Sequence, residues 1–253
     1  MIITILGSGT SHGIPVVGCS CSVCRSDNSK NKRTRASILV SDKNTDILID
    51  TATEFRLQAI REEINSVDAI FYTHSHADHL HGLDDIRPLT YKKPIEVFAS
   101  SEDVSEIRNR FPYIFIKTAQ KGGGKPRLNL NEISDRELFI NNVKVKPVSV
   151  KHGILNIFGY KINKHFAYIT DCSFIPEESI DLLKGIDILI IGALRYREHA
   201  THFNISQALE VIKKISPERA YLTHLSHDVD HDILSAELPG GIFPAYDGLK
   251  ISI

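Results

Sequence analysis

The sequence lacks an excess of charge of either sign: 30 Lys and Arg stand against 31 Asp and Glu, a formal net charge of −1 over 253 residues. A chain whose main task is to coat DNA or an anionic membrane needs a strong basic excess, so that class is excluded. No window approaches the roughly 18 apolar residues that cross a bilayer; the longest runs, 186–194 and 67–72, have strand length. The opening residues, Met1-Ile2-Ile3-Thr4-Ile5-Leu6-Gly7, have no basic region and no small-residue cleavage site. They read as the first strand of a cytoplasmic protein. Internal repeats and low-complexity tracts are absent as well.

What is plentiful is histidine, with twelve residues, and the few cysteines are concentrated: Cys19, Cys21 and Cys24 are three of only four. Composition therefore points toward metal. Strand-like runs fall at 2–6, 37–40, 46–49, 69–72, 95–99, 137–140, 143–150, 157–162, 166–169, 186–191, 220–222 and 249–253. Helical stretches fall at 54–63, with Thr53 as N-cap, 101–110, 176–184, 205–215, capped by Asn204, and 229–238. The helices are too few and too unevenly spaced for an eight-fold barrel. We expect two mixed β-sheets face to face with helices outside, a single αββα sandwich over residues 1–253. Residues 117–131, with Gly122-Gly123-Gly124, Lys121, Lys125 and Arg127, read as a loop.

The segment Thr73-His74-Ser75-His76-Ala77-Asp78-His79 follows the apolar run 69–72. Leaving a strand, residues two apart point the same way, so His74 and His76 converge on one point. Asp78 and His79, on the turn that follows, face a second point nearby. Imidazole and carboxylate hold a hydrolytic divalent metal while leaving it Lewis acidic. The same device recurs three times: His152, Asp171 and His224 each follow an apolar strand-like run. Donors at strand ends can gather at one edge of a sandwich.

With these motifs in place, the chain resembles the metallo-β-lactamase superfamily from Asp50 through His224. The resemblance implies a four-layer αββα fold and a dinuclear site: His74, His76 and His152 on one metal, Asp78, His79 and His224 on the other, and Asp171 bridging. Asp50, closing Ile47-Leu48-Ile49-Asp50, matches the superfamily's carboxylate that orients a ligand histidine.

Cys19, Cys21 and Cys24 lie in a Gly- and Ser-rich loop. Three thiolates at this spacing suit a tetrahedral zinc that needs one more ligand. Cys172 and His227 are the candidates, and we expect His227, three residues after His224. Four protein ligands leave no open position, so this zinc is structural. The Cys-x-Cys-x-x-Cys loop, the late His-x-x-His and His202, 22 residues before His224, resemble the PhnP-type cyclic-phosphate phosphodiesterases of the carbon-phosphorus lyase pathway. These are relatives of the tRNA 3′-processing endonucleases (tRNase Z). Gly7-Ser8-Gly9-Thr10-Ser11-His12-Gly13 and His81-Gly82-Leu83-Asp84-Asp85 are further similar substrings.

The resemblance implies a metal-dependent phosphodiesterase that hydrolyses a small, cyclic phosphoribosyl-type phosphodiester with hydroxide generated between two divalent cations. Zinc, manganese and iron all suit the donor set. Asp78 and His202 are the expected catalytic residues, His202 supplying a proton or positive charge to the leaving oxygen. Arg195 and Arg197 are weighed as phosphate contacts against ordinary surface arginines. Two other readings of the fold stay open, a tRNase Z-like RNA nuclease and an acyl or thioester hydrolase. A metal-binding module without catalysis would lack a ligand, and none is missing. Neutral overall charge argues against nucleic acid as a partner, and homodimerisation follows from the resemblance alone.

Overall fold

The structure, a computed structural model, describes residues 1–116 and 124–253. Runs such as Ile47-Leu48-Ile49 and Ile188-Leu189-Ile190-Ile191 are apolar at every position rather than every second one, so their strands need cover on both faces. Two packed sheets with helices outside provide it.

Fourteen strands are present among the described residues: β1 Ile2–Gly7, β2 Ser37–Asp42, β3 Thr45–Ile49, β4 Ala69–Phe71, β5 Ile95–Ala99, β6 Leu128–Glu132, β7 Leu138–Ile140, β8 Val143–His152, β9 Leu155–Ile162, β10 Phe166–Ile169, β11 Ile188–Gly192, β12 Arg219–Thr223, β13 Ile242–Pro244 and β14 Lys250–Ser252. One seven-stranded sheet has the order β14-β1-β2-β3-β4-β5-β6, and the other β13-β12-β11-β10-β9-β8-β7. Ile47 and Ile49 pack with Ile188, Ile190, Tyr160 and Tyr168 between the sheets. The alternate residues face outward. Leu48 meets Phe55, Val104 and Ile107 of the helices Phe55–Arg61 and Ser101–Arg110. Leu189 and Ile191 meet Ile180, Leu183, Ala208 and Ile212 of the helices Glu177–Leu183 and Ile205–Ile215. The expected αββα sandwich is the architecture found.

Local signals explain most element boundaries. Asn204 caps Ile205–Ile215 by accepting from Gln207 N at 2.8 Å, while Gln207 Oε1 accepts from Asn204 N at 3.0 Å, a reciprocal capping box. Thr53 does not cap its helix. Glu54 holds the cap position, and the Thr53 hydroxyl is drawn 3.3 Å to the carbonyl of Ala77. The loop expected over 117–131 is interrupted by β6, which pairs in parallel with β5, Ile95 opposite Leu128. Its Asn129 and Asn131 hide the pattern, but both amides donate to Glu96 across the pair. Lys121, Gly122 and Gly123 of that expected loop lie outside the described residues. Among the described residues no helix is long and apolar enough to cross a membrane.

The strand pairings deliver the chemistry. β3 runs parallel to β4, with Ile49 opposite Phe71, so Asp50 emerges beside the histidine segment. β10, β11 and β12 are parallel and in step, which sets Asp171 and His224 at one edge. Gly82 fixes how closely the histidine segment packs on that edge: its N–H donates to Thr51 O at 3.0 Å, and Thr51 N donates to His79 O at 2.8 Å. A β-carbon at Gly82 would overlap the carbonyl oxygen of Ala52 and lie 2.7 Å from Cβ of Phe55. Gly82→Ala should therefore destabilise the fold by about 1–3 kcal/mol through forced backbone displacement, read as a lower urea midpoint; an unchanged midpoint would show that the approach is not tight.

Candidate metal centre

His74, His76 and His152 bring one ring nitrogen each into a cluster whose ligand atoms lie within 4.8 Å of one another. Asp78, His79, Asp171 and His224 form a second, and His152, Asp171 and His202 a third that joins them. Every metal ligand expected from the sequence is thus gathered at one edge. The ring centroids of His74 and His79 are 4.4 Å apart, so the first two clusters adjoin.

Hydrogen bonds decide which nitrogen each ring presents. His79 Nδ1 donates to Asp50 Oδ2 at 2.7 Å, which frees Nε2 as a lone-pair donor. His152 Nδ1 donates to Thr201 O at 2.7 Å, with the same result. Asp50 is fixed in turn by Thr73, whose N–H and hydroxyl each donate to the carboxylate at 2.8 Å. Asp50 therefore has the orienting place expected of it. Thr73, immediately before His74, is a working residue that the sequence reading passed over; its adjacency to the motif was the available signal.

The donor set fits a cation. His74 Nε2, His79 Nε2 and His224 Nδ1 are buried and have no hydrogen-bonding partner among the described residues, an arrangement that costs about 1–3 kcal/mol per group unless something is bound. His79 Nε2 lies 3.3 Å from Asp78 Oδ2 and 3.2 Å from Asp171 Oδ1, and His224 Nδ1 lies 3.1 Å from the same Asp171 oxygen. Ligands about 2.0–2.2 Å from a shared ion stand roughly 3.0–3.4 Å apart. Electrostatics agree. Burial opposes charge on both His79 and Asp171, yet the carboxylates of Asp171, Asp78 and Asp50 hold His79 well above its ordinary value. Asp171 is held well below its own by His224 and His79. The cluster favours positive charge at its centre.

Three of these residues adopt a backbone conformation that few residues tolerate. Asp50, Asp171 and His224 have φ of 62°, 51° and 59°. Asp and His are among the types that enter this left-handed region most readily, at a cost of about 1–3 kcal/mol each. The turn swings each side chain sideways off its strand end. Nothing in the sequence pattern announces it.

His202 sits on the far side of His152, their ring centroids 4.6 Å apart, and stacks on His224 at 5.0 Å. Its Nδ1 is 4.0 Å from Asp171 Oδ2. Burial, and then His224, push its imidazole down to about 3. His199, left unassigned by the sequence reading, lies 5.1 Å from His202. Three other unassigned histidines are structural: His81 packs on Phe111, His165 pairs with Asp187, and His231 packs on Tyr246.

The cysteine loop meets the same edge from outside. Cys19, Cys21, Cys24 and His227 form one cluster, with His227 Nδ1 3.3 Å from Cys19 Sγ and 3.4 Å from Cys21 Sγ. Those separations approach the roughly 3.5 Å edge of a tetrahedral zinc site. Cys172 is elsewhere, buried, with its thiol directed to Phe174 O. A second fastening was not legible in the sequence. The buried Arg33 donates from NH1 to Ser226 O and Val229 O at 3.1 and 2.9 Å, and Asn31 donates to Asp230 at 2.7 Å. Both bind the N-terminal loop to the segment that follows His224.

Asp50→Asn should weaken metal binding at the His79 cluster about 10- to 100-fold, because His79 loses the acceptor that fixes its tautomer. Competition with a chromogenic chelator checks this, and an unchanged affinity would leave Asp50 a structural acceptor only.

Residues 45–225 match the family model described as the Beta-lactamase superfamily domain. A crystal structure of a diphosphatase from the PhnP family is 38% identical, covers 99% of this chain and 96% of its own, and superposes with a TM-score of 0.93. The short form of human tRNase Z shares the fold at 20% identity, with coverage of 100% and 99% and a TM-score of 0.69. A curated octanoyltransferase from Porphyromonas gingivalis is 42% identical over 98% of this chain, but the chain spans only 51% of that relative's length. The chain belongs to the beta-lactamase superfamily, in its PhnP branch, and is a metal-dependent hydrolase.

Proposed function

We propose that the chain hydrolyses a small phosphodiester, of the cyclic phosphoribosyl type, at a dinuclear centre. The observation that carries this reading is the joining of two donor clusters through Asp171, with His202 facing the junction. The PhnP-family diphosphatase, similar along nearly its whole length, supports chemistry at phosphorus rather than at carbon.

His74, His76 and His152 would hold one divalent cation, and Asp78, His79 and His224 the other, with Asp171 between them. When bound, such a pair supplies Lewis acidity and lowers the pKa of water toward neutrality; zinc and manganese suit the donors best. The chain's own groups do the remainder. Asp78 orients the attacking water by accepting a hydrogen bond from it. Hydrolysis then adds the oxygen of water to phosphorus and its proton to the leaving oxygen. His202, whose Nδ1 lies 4.0 Å from Asp171 Oδ2, faces the junction from the side on which the sequence reading expects it to supply a proton or positive charge to the leaving oxygen.

Cys19, Cys21, Cys24 and His227 would hold a structural zinc that closes the wall beside His224. The octanoyltransferase name describes a polypeptide about twice the length of the matched region. Among the described residues, three cysteines gather around His227, and burial pushes the Cys172 thiol far up from its ordinary value.

Metal-reconstituted protein should turn over nucleoside cyclic phosphates and an aryl phosphodiester, and Asp171→Ala should lose at least about 100-fold in kcat/KM. Turnover of a thioester or of precursor tRNA with silence on both diesters would overturn the substrate class. Cys21→Ser should lose one zinc per chain by elemental analysis and unfold at lower temperature, since a structural zinc contributes directly to folding free energy.

A further inference from the structure

The three rings of the first donor cluster are not held alike. His74 Nδ1 lies 3.0 Å from the hydroxyl of Thr73, and His152 Nδ1 donates to Thr201 O at 2.7 Å. His76 is the exposed member of the three, and among the described residues no hydrogen bond reaches its ring. Its ring meets only the rows of neighbouring rings, His74 and His152, edge-on with centroids 4.5 and 5.1 Å away. A metal ligand held so loosely at its side chain depends on its backbone for position.

That backbone is pinned on both sides. Downstream, His76 O accepts from His79 N and Leu80 N, each at 3.1 Å, where the short helix Ala77–Leu80 begins. Upstream, the carbonyl of Ser75 lies in the same rigid peptide plane as His76 N, and it accepts from Arg110 Nη1 at 2.6 Å. No backbone N–H among the described residues reaches this oxygen. Arg110 is itself preset: its Nε and Nη2 donate to Glu106 Oε2 at 3.1 and 2.9 Å, one turn back on the helix Ser101–Arg110. A planar guanidinium fixed along one edge has a defined direction for its remaining N–H groups, and here Nη1 is aimed at Ser75. The helix is a firm mount. Ser100 caps it by accepting from Asp103 N at 3.1 Å, and Val104 and Ile107 are buried in the layer outside the sheet. A bond from a charged donor is stronger than one between neutral groups, so the contact can hold the peptide although a cavity of about 610 Å3, lined by His74, Ser75, His76 and Glu106, opens beside it.

We propose that Arg110, preset by Glu106, is a positioning residue for the ion held by His74, His76 and His152: it fixes the peptide that carries His76, as Asp50 fixes the ring of His79 in the other cluster. This rests on the reading of His76 as a metal ligand. The two ions then have separate supports, one on the helix Ser101–Arg110 and one at the end of β3, and either support can be removed without weakening the other site.

The test titrates metal-free protein with manganese(II), reading the two affinities by competition with a chromogenic chelator and the pairing of the ions by electron paramagnetic resonance. His76→Ala identifies the binding step that belongs to the first cluster. Arg110→Gln should weaken that step about 10- to 100-fold, the usual cost of losing a group that orients a ligand, and leave the other step as it is, with an unchanged urea midpoint for the metal-free protein. Arg110→Lys, which keeps a cationic donor, should keep part of the affinity, and Asp50→Asn should weaken the other step instead. Equal weakening of both steps by Arg110→Gln, or none of the step that His76→Ala identifies, overturns the role of Arg110 and leaves His76 a ligand. Two unchanged steps in His76→Ala overturn the ligand reading and the proposal with it.

Discussion

The donors of the metal centre meet because two packed sheets end at the same edge. Asp50 leaves β3, the histidine segment leaves β4, His152 closes β8, and Asp171 and His224 leave β10 and β12. A strand end is a rigid mount, but its side chains alternate up and down, and neither direction points along the edge. The left-handed turns at Asp50, Asp171 and His224 solve that problem by swinging each side chain sideways. Their cost is offset by the surrounding pairing, such as Asp50 N to Phe71 O and Ala193 N to Thr223 O, each at 2.9 Å.

The second requirement is charge. Burial disfavours the ionised groups at this edge, and at Asp78, His79 and Asp171 mutual attraction between carboxylates and imidazoles outweighs the penalty. Asp50, wholly buried, accepts from Thr73 twice and from His79 once, and thereby sets which nitrogen His79 turns inward. Three buried ring nitrogens left without partners then mark where a cation belongs. The same edge is fastened from outside by the cysteine cluster and by Arg33, so the wall behind His224 does not depend on one fastening.

The surroundings of this centre are asymmetric. Acidic and apolar groups line one side, arginines the other, and His202 and His199 continue the row of rings toward the arginine side. A hydrolytic centre alone accommodates many substrates of the superfamily. The loop 195–204 is tied to this centre through Thr201, whose carbonyl accepts from His152.

The sequence by itself determined the layers, the strand ends and the donors, because both-face burial writes continuous apolar runs and metal ligands are a short list of residue types in tight spacing. His227 was legible for the same reason, three residues beyond His224. Weak edge strands were not: β6 alternates leucine with asparagine, and its pairing is decided by Glu96 on a neighbouring strand. Only the tertiary structure decided that Thr53 turns away to Ala77, that Thr73 and Thr201 fix the ligand tautomers, that Arg33 holds the wall, and that Arg195 faces the site. Those outcomes depend on which backbone oxygen or carboxylate lies within about 3 Å after folding, and sequence spacing does not say which of many such acceptors a given side chain will meet.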